Sequence, residues 1–314
     1  MHAAPQGSRS LTTQTISGGA VFISNSGSVL FNTCILNDNV AYDGLGDFTA
    51  VFGGAVFIQN GGSAIFNDCI LSNNRIATYY AFAGAVYVGG SAIFNDCIFS
   101  DNRAGGSYCS GGAVAVSGSA TFNTCTLSGN LHYPGDGDGS AIQANGLGVV
   151  LELNNCDIRD NTGDSGGGAI MIKHNAKATF NVCQFTNNEE ALHGGAVAVH
   201  GTIVTPNQAT FNQCTFSGNG NSQTKYGGAL YVYDDGRVLL NDCTLTGNGR
   251  NGGLGGAILI NTCAAVILIS SEVSGNLAAR DFYLMGSSTR LTIINAKGSN
   301  PYTYYAYGSS SIVE

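Results

Sequence analysis

The chain has 314 residues, including 46 Gly, 4 Pro and no Trp, and only 10% of it is charged, against roughly 25% in an ordinary globular chain. Hydrophobic residues make up 44%, which excludes a disordered polar polymer. A net charge of −8 argues against nucleic acid as a partner, and no apolar run is long enough to cross a membrane as a helix.

Residues 1–16 read as an N-terminal extension or cap. They lack the basic start and apolar core of a secretory signal. From residue 17 one short unit repeats. Gly18-Gly19-Ala20 leads into Val21 and Ile23, then Val29 and Phe31, then Cys34 and Leu36, and Asn39 closes the unit. Further units start at Gly53-Gly54-Ala55, Gly84-Ala85, Gly111-Gly112-Ala113, Gly167-Gly168-Ala169, Gly194-Gly195-Ala196, Gly227-Gly228-Ala229 and Gly255-Gly256-Ala257. Gly139-Ser140-Ala141 opens a weaker copy, and residues 281–295 read as a degenerate last one. Residues 299–314 read as a Tyr- and Ser-rich tail.

The cysteines set the register. Cys34, Cys69, Cys97, Cys125, Cys156, Cys183, Cys214 and Cys243 share one slot, at spacings of 35, 28, 28, 31, 27, 31 and 29 residues. A period that stretches at one place per unit marks a solenoid. Within a unit the apolar residues alternate with period 2, which excludes helical repeats. The step from Phe31 to Cys34 is odd, so the chain bends at Asn32-Thr33. Three strands per unit then close a coil, and stacked coils pair like strand with like in parallel. The expectation is an all-β, single-stranded, right-handed parallel β-helix of about nine or ten coils over residues 17–298, ~43–48 Å long at ~4.8 Å per coil.

Repetition also predicts what each slot does. Val, Phe, Cys and Leu columns fill the core. The cysteine column reads as a buried ladder of free thiols, since no metal-type spacing occurs. Cys109 and Cys263 lie off the ladder and are the two cysteines with a potential reactive or partner role. The closing asparagines read as left-handed turn residues whose amides stack. Phe22, Phe57, Tyr87, Met171, Tyr231 and Leu259 share an outward slot with Ala115, Gln143 and Ala198. That apolar stripe is either a contact surface or is covered by the loops at 41–52 and 77–82. Tyr79, Tyr80, Phe82 and Tyr133 in and near those loops either cover it or stack on sugar rings.

The Gly-Gly-Ala-Val and Phe-x-x-Asn units, as in Gly194-Gly195-Ala196-Val197 and Phe216-Ser217-Gly218-Asn219, resemble those of chlamydial polymorphic outer membrane proteins. Related pectin-lyase-like β-helix proteins of other bacteria and algae carry them too. The resemblance covers roughly residues 17–295. It implies an autotransporter-passenger-like, adhesin-like rod at the cell surface or outside the cell. The C-terminal barrel of that family has no counterpart in residues 300–314.

No convergent catalytic set is visible. Asp68 and Asp96 share a slot in adjacent coils, with Asp242 in the same slot farther on, but no basic partner accompanies them. Asp136-Gly137-Asp138-Gly139 is half a calcium loop and reads as a surface loop, and Asp234-Asp235-Gly236 reads as a turn. His174, His193 and His200 fall in neighbouring coils and form the one candidate histidine site. The sequence therefore predicts a non-catalytic surface rod without cofactor or metal. Its partners would be a protein or glycan surface, or further copies stacked head to tail through the open ends. A polysaccharide lyase or hydrolase and a carbohydrate-binding module are the alternatives.

Overall fold

Short apolar runs separated by Asn, Gly and Asp give short strands and tight corners, and the chain folds by stacking them. The computed structural model describes residues 16–17, 19–42, 50–132, 137–163, 167–190, 193–202, 208–220, 226–250, 252–295, 297 and 302–313. Its first face is an 11-stranded parallel sheet running from Val21–Ile23 to Tyr304–Ala306. A second face, also of 11 strands, runs from Ser28–Asn32 to Ser311–Val313, and a third, of 9 strands, from Ile35–Asn37 to Glu272–Ser274. The register pairs like with like: Ser63, Phe66 and Asn67 lie against Ser91, Phe94 and Asn95. The parallel β-helix expected from the repeat is the fold observed.

Two boundaries move. The expected tail is not outside the repeat, because Tyr304–Ala306 and Ser311–Val313 add an eleventh rung to the first two faces. Tyrosines hid this rung from the aliphatic pattern: Tyr305 stacks on Tyr283 at 4.8 Å, and Tyr302 and Ile312 pack on the core. At the other end the loops at 41–52 and 77–82 contain strands. Val40–Tyr42, Arg75–Ala77, Arg103–Gly105 and Leu131–His132 belong to a fourth sheet. Ile16–Ser17, Ala50–Phe52, Tyr80–Phe82 and Tyr108–Ser110 form a fifth. Ala41, Val51, Ile76, Ala81, Ala104 and Cys109 close a second, smaller core between these two sheets. Residues 1–15 lie outside the described residues.

Inside the main core like side chains stack. Phe31, Phe66, Phe94 and Phe122 follow one another with ring centroids 4.4, 4.8 and 4.7 Å apart. Burying each ring contributes roughly 1.5–3 kcal/mol, repeated rung after rung. The corner between the second and third faces puts one residue per coil in left-handed backbone, from Thr33 (φ 50°) through Asp68 and Val182 to Asn295. Asp68 and Asp96 are these exposed corner residues, which gives their shared slot a backbone explanation.

The closing asparagines do something other than turn. The left-handed residue is the one before them, for example Asn73, Asp101 and Gly129, while Asn74, Asn102 and Asn130 are fully buried. Each amide is saturated. Asn102 Nδ2 donates to Leu71 O (2.8 Å) and to Asn130 Oδ1 (3.0 Å), and its Oδ1 accepts from the N and Nδ2 of Asn74. A second ladder links Asn32, Asn67, Asn95 and Asn123 at the solvent side of the other corner.

The Gly-Gly pairs meet two demands at once. Gly53 sits at φ 64°, and a Cβ on Gly54 would come within 1.9 Å of the Gly84 carbonyl oxygen in the next coil. The first position needs a left-handed residue and the second has no room for a side chain.

Candidate functional site

The repeat fixes which side chains point outward from the first face, and the flanking segments decide which of them stay open. Phe22, Phe57, Tyr87, Ala115, Gln143, Met171, Ala198, Tyr231 and Leu259 occur in register. Phe22 is 51% exposed, and Phe57 and Tyr87 are half-buried. From Ala115 to Leu259 the column is buried, so Met171, Tyr231 and Leu259 are not part of an open contact stripe. The cause is the segment leading into each Gly-Gly turn. His193, Tyr226 and Leu254 bridge in parallel alongside the first face, and Tyr226, Tyr233 and Leu254 pack against Met171, Tyr231 and Leu259. Ring stacking of His193 on Tyr231, at 4.9 Å, adds to the cover.

On the first coils the flank instead widens the stripe into a groove. Phe52 and Phe82, from the fifth sheet, stack at 4.8 Å, and Phe52 meets Phe57 at 5.4 Å and Tyr87 at 4.7 Å. The groove encloses about 640 Å³ between Phe52, Phe57 and Tyr87 on one side and the turns carrying Gly61-Gly62, Gly89-Gly90 and Ser117-Gly118 on the other. Its floor is backbone: a Cβ on Gly90 would lie 2.0 Å from the Gly62 carbonyl oxygen. Gln59, Asn60, Ser91 and Ser119 supply hydrogen-bonding side chains, and the Tyr87 hydroxyl is held 2.6 Å from Ser117 Oγ. Beside it Tyr79, Tyr80 and Tyr108 form a second ring cluster, with Tyr79 and Tyr108 exposed. Tyr133 lies outside the described residues.

A polar cluster sits at the downstream end of the first-face strands. Asn145, Lys173, His200 and Tyr233 are register neighbours on successive coils. Lys173 forms an ion pair with Asp138, which also accepts from Gln143 Nε2 at 3.2 Å. His174 Nδ1 is 2.7 Å from Asn145 Oδ1, and His200 Nε2 is 3.4 Å from Asp234 Oδ2. The His200 ring stacks on Tyr233 at 4.7 Å and lies 5.5 Å from His174. Burial holds His200 below the usual histidine range, against the pull of Asp234, and burial pushes the Tyr233 hydroxyl up. Both shifts favour the uncharged forms of these two side chains.

Sequence reasoning found His174 and His200 but missed Asp138, Lys173, and the adjacent Tyr233 and Asp234, which come from three different coils. Asp138 reads in the sequence as a loop residue, and Asp234 as the turn residue it is, with φ 47°. The usable signal was register: a residue following the first-face strand in one coil stacks on its counterpart in the next. His193 belongs to the apolar cover and meets this cluster through the Tyr233 ring, at 6.3 Å. Asp242 pairs with Lys297 at 2.8 Å on the surface, far along the chain from Asp68 and Asp96.

The ladder cysteines are all free thiols, buried except for Cys34 at the first rung. Each donates at the corner, as Cys97 Sγ does to Asn95 O (3.2 Å) and Phe66 O (3.5 Å). Burial, the largest influence, pushes the Cys69 thiol above its ordinary value. Ser271 takes over the slot with the same two acceptors, Ile269 O and Leu240 O. Cys109 is sealed in the second core, and half-buried Cys263 occupies a left-handed turn position.

A search of curated proteins finds no match to this sequence. The model of the right-handed β-helix region matches residues 140–314, more than half of the chain. That span begins in the weakest of the Gly-Gly-Ala units and takes in the tyrosine-built last rung. With the parallel stack of faces described above, it places the chain in the right-handed β-helix family.

Proposed function

We propose that this protein is a non-catalytic, adhesin-like β-helix rod, working at the cell surface or outside the cell, that contacts glycan through the aromatic groove of its first coils. One observation carries the reading. The flanking segments bury the outward column from Ala115 to Leu259, yet leave Phe22 exposed, and Phe57 and Tyr87 open beside a floor of glycine backbone and hydroxyls. Ring faces next to hydrogen-bond donors suit sugars, which present apolar faces and equatorial hydroxyls. The resemblance of the repeat to chlamydial surface proteins supports the same placement. The test is a glycan array probed with the intact protein and with Tyr87→Ala. Binding that falls at least tenfold in the variant supports the reading, and absence of binding to any glycan overturns it.

A carbohydrate-active enzyme is the second reading, favoured by the polar cluster. A histidine beside Asp234, an ion-paired lysine and a tyrosine are the residue types that proton transfer on a sugar polymer needs. Incubation with uronic-acid and neutral polysaccharides, read as new reducing ends or unsaturated products, decides between them. Turnover that disappears in His200→Ala establishes the enzyme.

We propose head-to-tail filaments as the rod's form of self-association, since among the described residues Tyr304–Ala306 and Ser311–Val313 are the outermost strands of their sheets. Electron microscopy showing only monodisperse short rods rules it out.

A further inference from the structure

We infer that the groove takes an extended, uncharged glycan lying along the rod axis, with one sugar ring to each rung. The inference rests on the groove being the binding surface and specifies what fits it.

The first observation is spacing. Phe22, Phe57 and Tyr87 are one rung apart, with ring centroids separated by 5.4 and 5.3 Å. A row of rings repeating along the axis matches a polymer whose units repeat at a similar step. The opposite wall repeats with the same step, because Gly62, Gly90 and Gly118 stack directly on one another. The rungs of Phe57 and Tyr87 each offer one ring face and one stretch of bare backbone, Phe22 extends the row of rings by one rung, and Gly118 extends the backbone wall by one rung in the other direction.

The second observation is charge. None of the described residues lining the groove is charged: its polar groups are the amides of Gln59 and Asn60 and the hydroxyls of Ser91, Ser117, Ser119 and Tyr87. A polyuronate would bring a carboxylate to each rung with no cation to meet it. The net charge of −8 adds a repulsive field. Neutral hydroxyls instead find donors and acceptors along the whole floor. The Tyr87–Ser117 hydrogen bond fixes one ring in place before binding, which lowers the ordering cost.

The experiment is calorimetry of the full chain with neutral cello- and xylo-oligosaccharides of increasing length, and with oligogalacturonates of matched length, at two salt concentrations. The expected result is binding of a neutral series that tightens up to about four rings, at ~4.8 Å per rung, and then levels off. The affinity should be insensitive to salt. It should fall at least tenfold in both Phe57→Ala and Tyr87→Ala, with folding of each checked by circular dichroism. Tyr87→Phe, which keeps the ring, should lose less than Tyr87→Ala. Tighter binding of oligogalacturonates overturns this inference while leaving a glycan-binding rod intact. So does an affinity that ignores chain length, or is unchanged in both alanine variants. Failure of every glycan tested overturns the broader reading as well.

Discussion

Val182 carries a β-branched side chain at φ 56°, in a corner that other coils give to Asp, Asn, Gln, Ser or Thr. Left-handed backbone costs an L-residue with a bulky Cβ about 1–2 kcal/mol. Asn155 fills the same corner one rung earlier, and Val182 is 50% exposed, so little burial is at stake. Val182→Asn should stabilise the protein by about 1 kcal/mol, seen as a higher urea midpoint with an unchanged slope. Asn130 sits at the opposite extreme. Its Oδ1 accepts from Asn102 N and Nδ2, and its Nδ2 donates to Phe99 O and Asn161 Oδ1, all without water access. Asn130→Ala strands several buried polar groups at once and should cost about 2–4 kcal/mol, measured by the same unfolding curve. An effect no larger than that of an exposed Asn→Ala change outside left-handed backbone, such as at Asn25, would mean the ladder is not the structural seam described.

At the scale of elements, the fourth sheet carries a histidine in its inward column: Ala41, Ile76, Ala104 and His132 stack in register. His132 is fully buried, and burial lowers its pKa to about 4, against a smaller opposing pull from Asp138. The unfolded chain takes up this proton near pH 6.5, and the folded one only near pH 4, so the unfolded state binds more protons between those values. Stability is whole above pH 6.5 and falls as pH drops through that window, by about 3 kcal/mol in total. Thermal melts across the window should show that loss, and His132→Gln should flatten it. An equally steep loss in the variant would place the acid sensitivity elsewhere. None of this was legible in advance. The three faces show in the sequence because their slots recur with fixed spacing through every unit. The fourth and fifth sheets occur in a subset of coils, inside stretches of variable length, so their alternation is never repeated often enough to stand out from a loop.

For the whole molecule, the main core and the thiol column could be read from register alone, while the candidate sites could not. The groove depends on Phe52, which only the fifth sheet brings against Phe57 and Tyr87. The polar cluster is assembled from Asp138, Lys173, His200 and Asp234, unlike one another, so register sets Lys173 beside His200 but no recurring residue type marks the site. The same architecture sets how damage spreads. In a solenoid each coil contacts only its neighbours, so stability is close to a sum over adjacent pairs. Leu153 is fully buried in a central rung, whereas Ile312 is only partly buried in the last one. A charge at Leu153 removes two interfaces, and one at Ile312 removes a single terminal one. Leu153→Asp should therefore abolish the cooperative unfolding transition. Ile312→Asp should accelerate hydrogen exchange in Tyr304–Ala306 and Ser311–Val313 while leaving amides of the first coils protected. Because the groove lies at the opposite end of the rod, Ile312→Asp should also retain wild-type glycan affinity. Exchange that rises equally from Val56–Ile58 to Arg290–Ile294 in that variant would show that the rod folds as one cooperative block, and that coil-by-coil additivity does not hold for this chain.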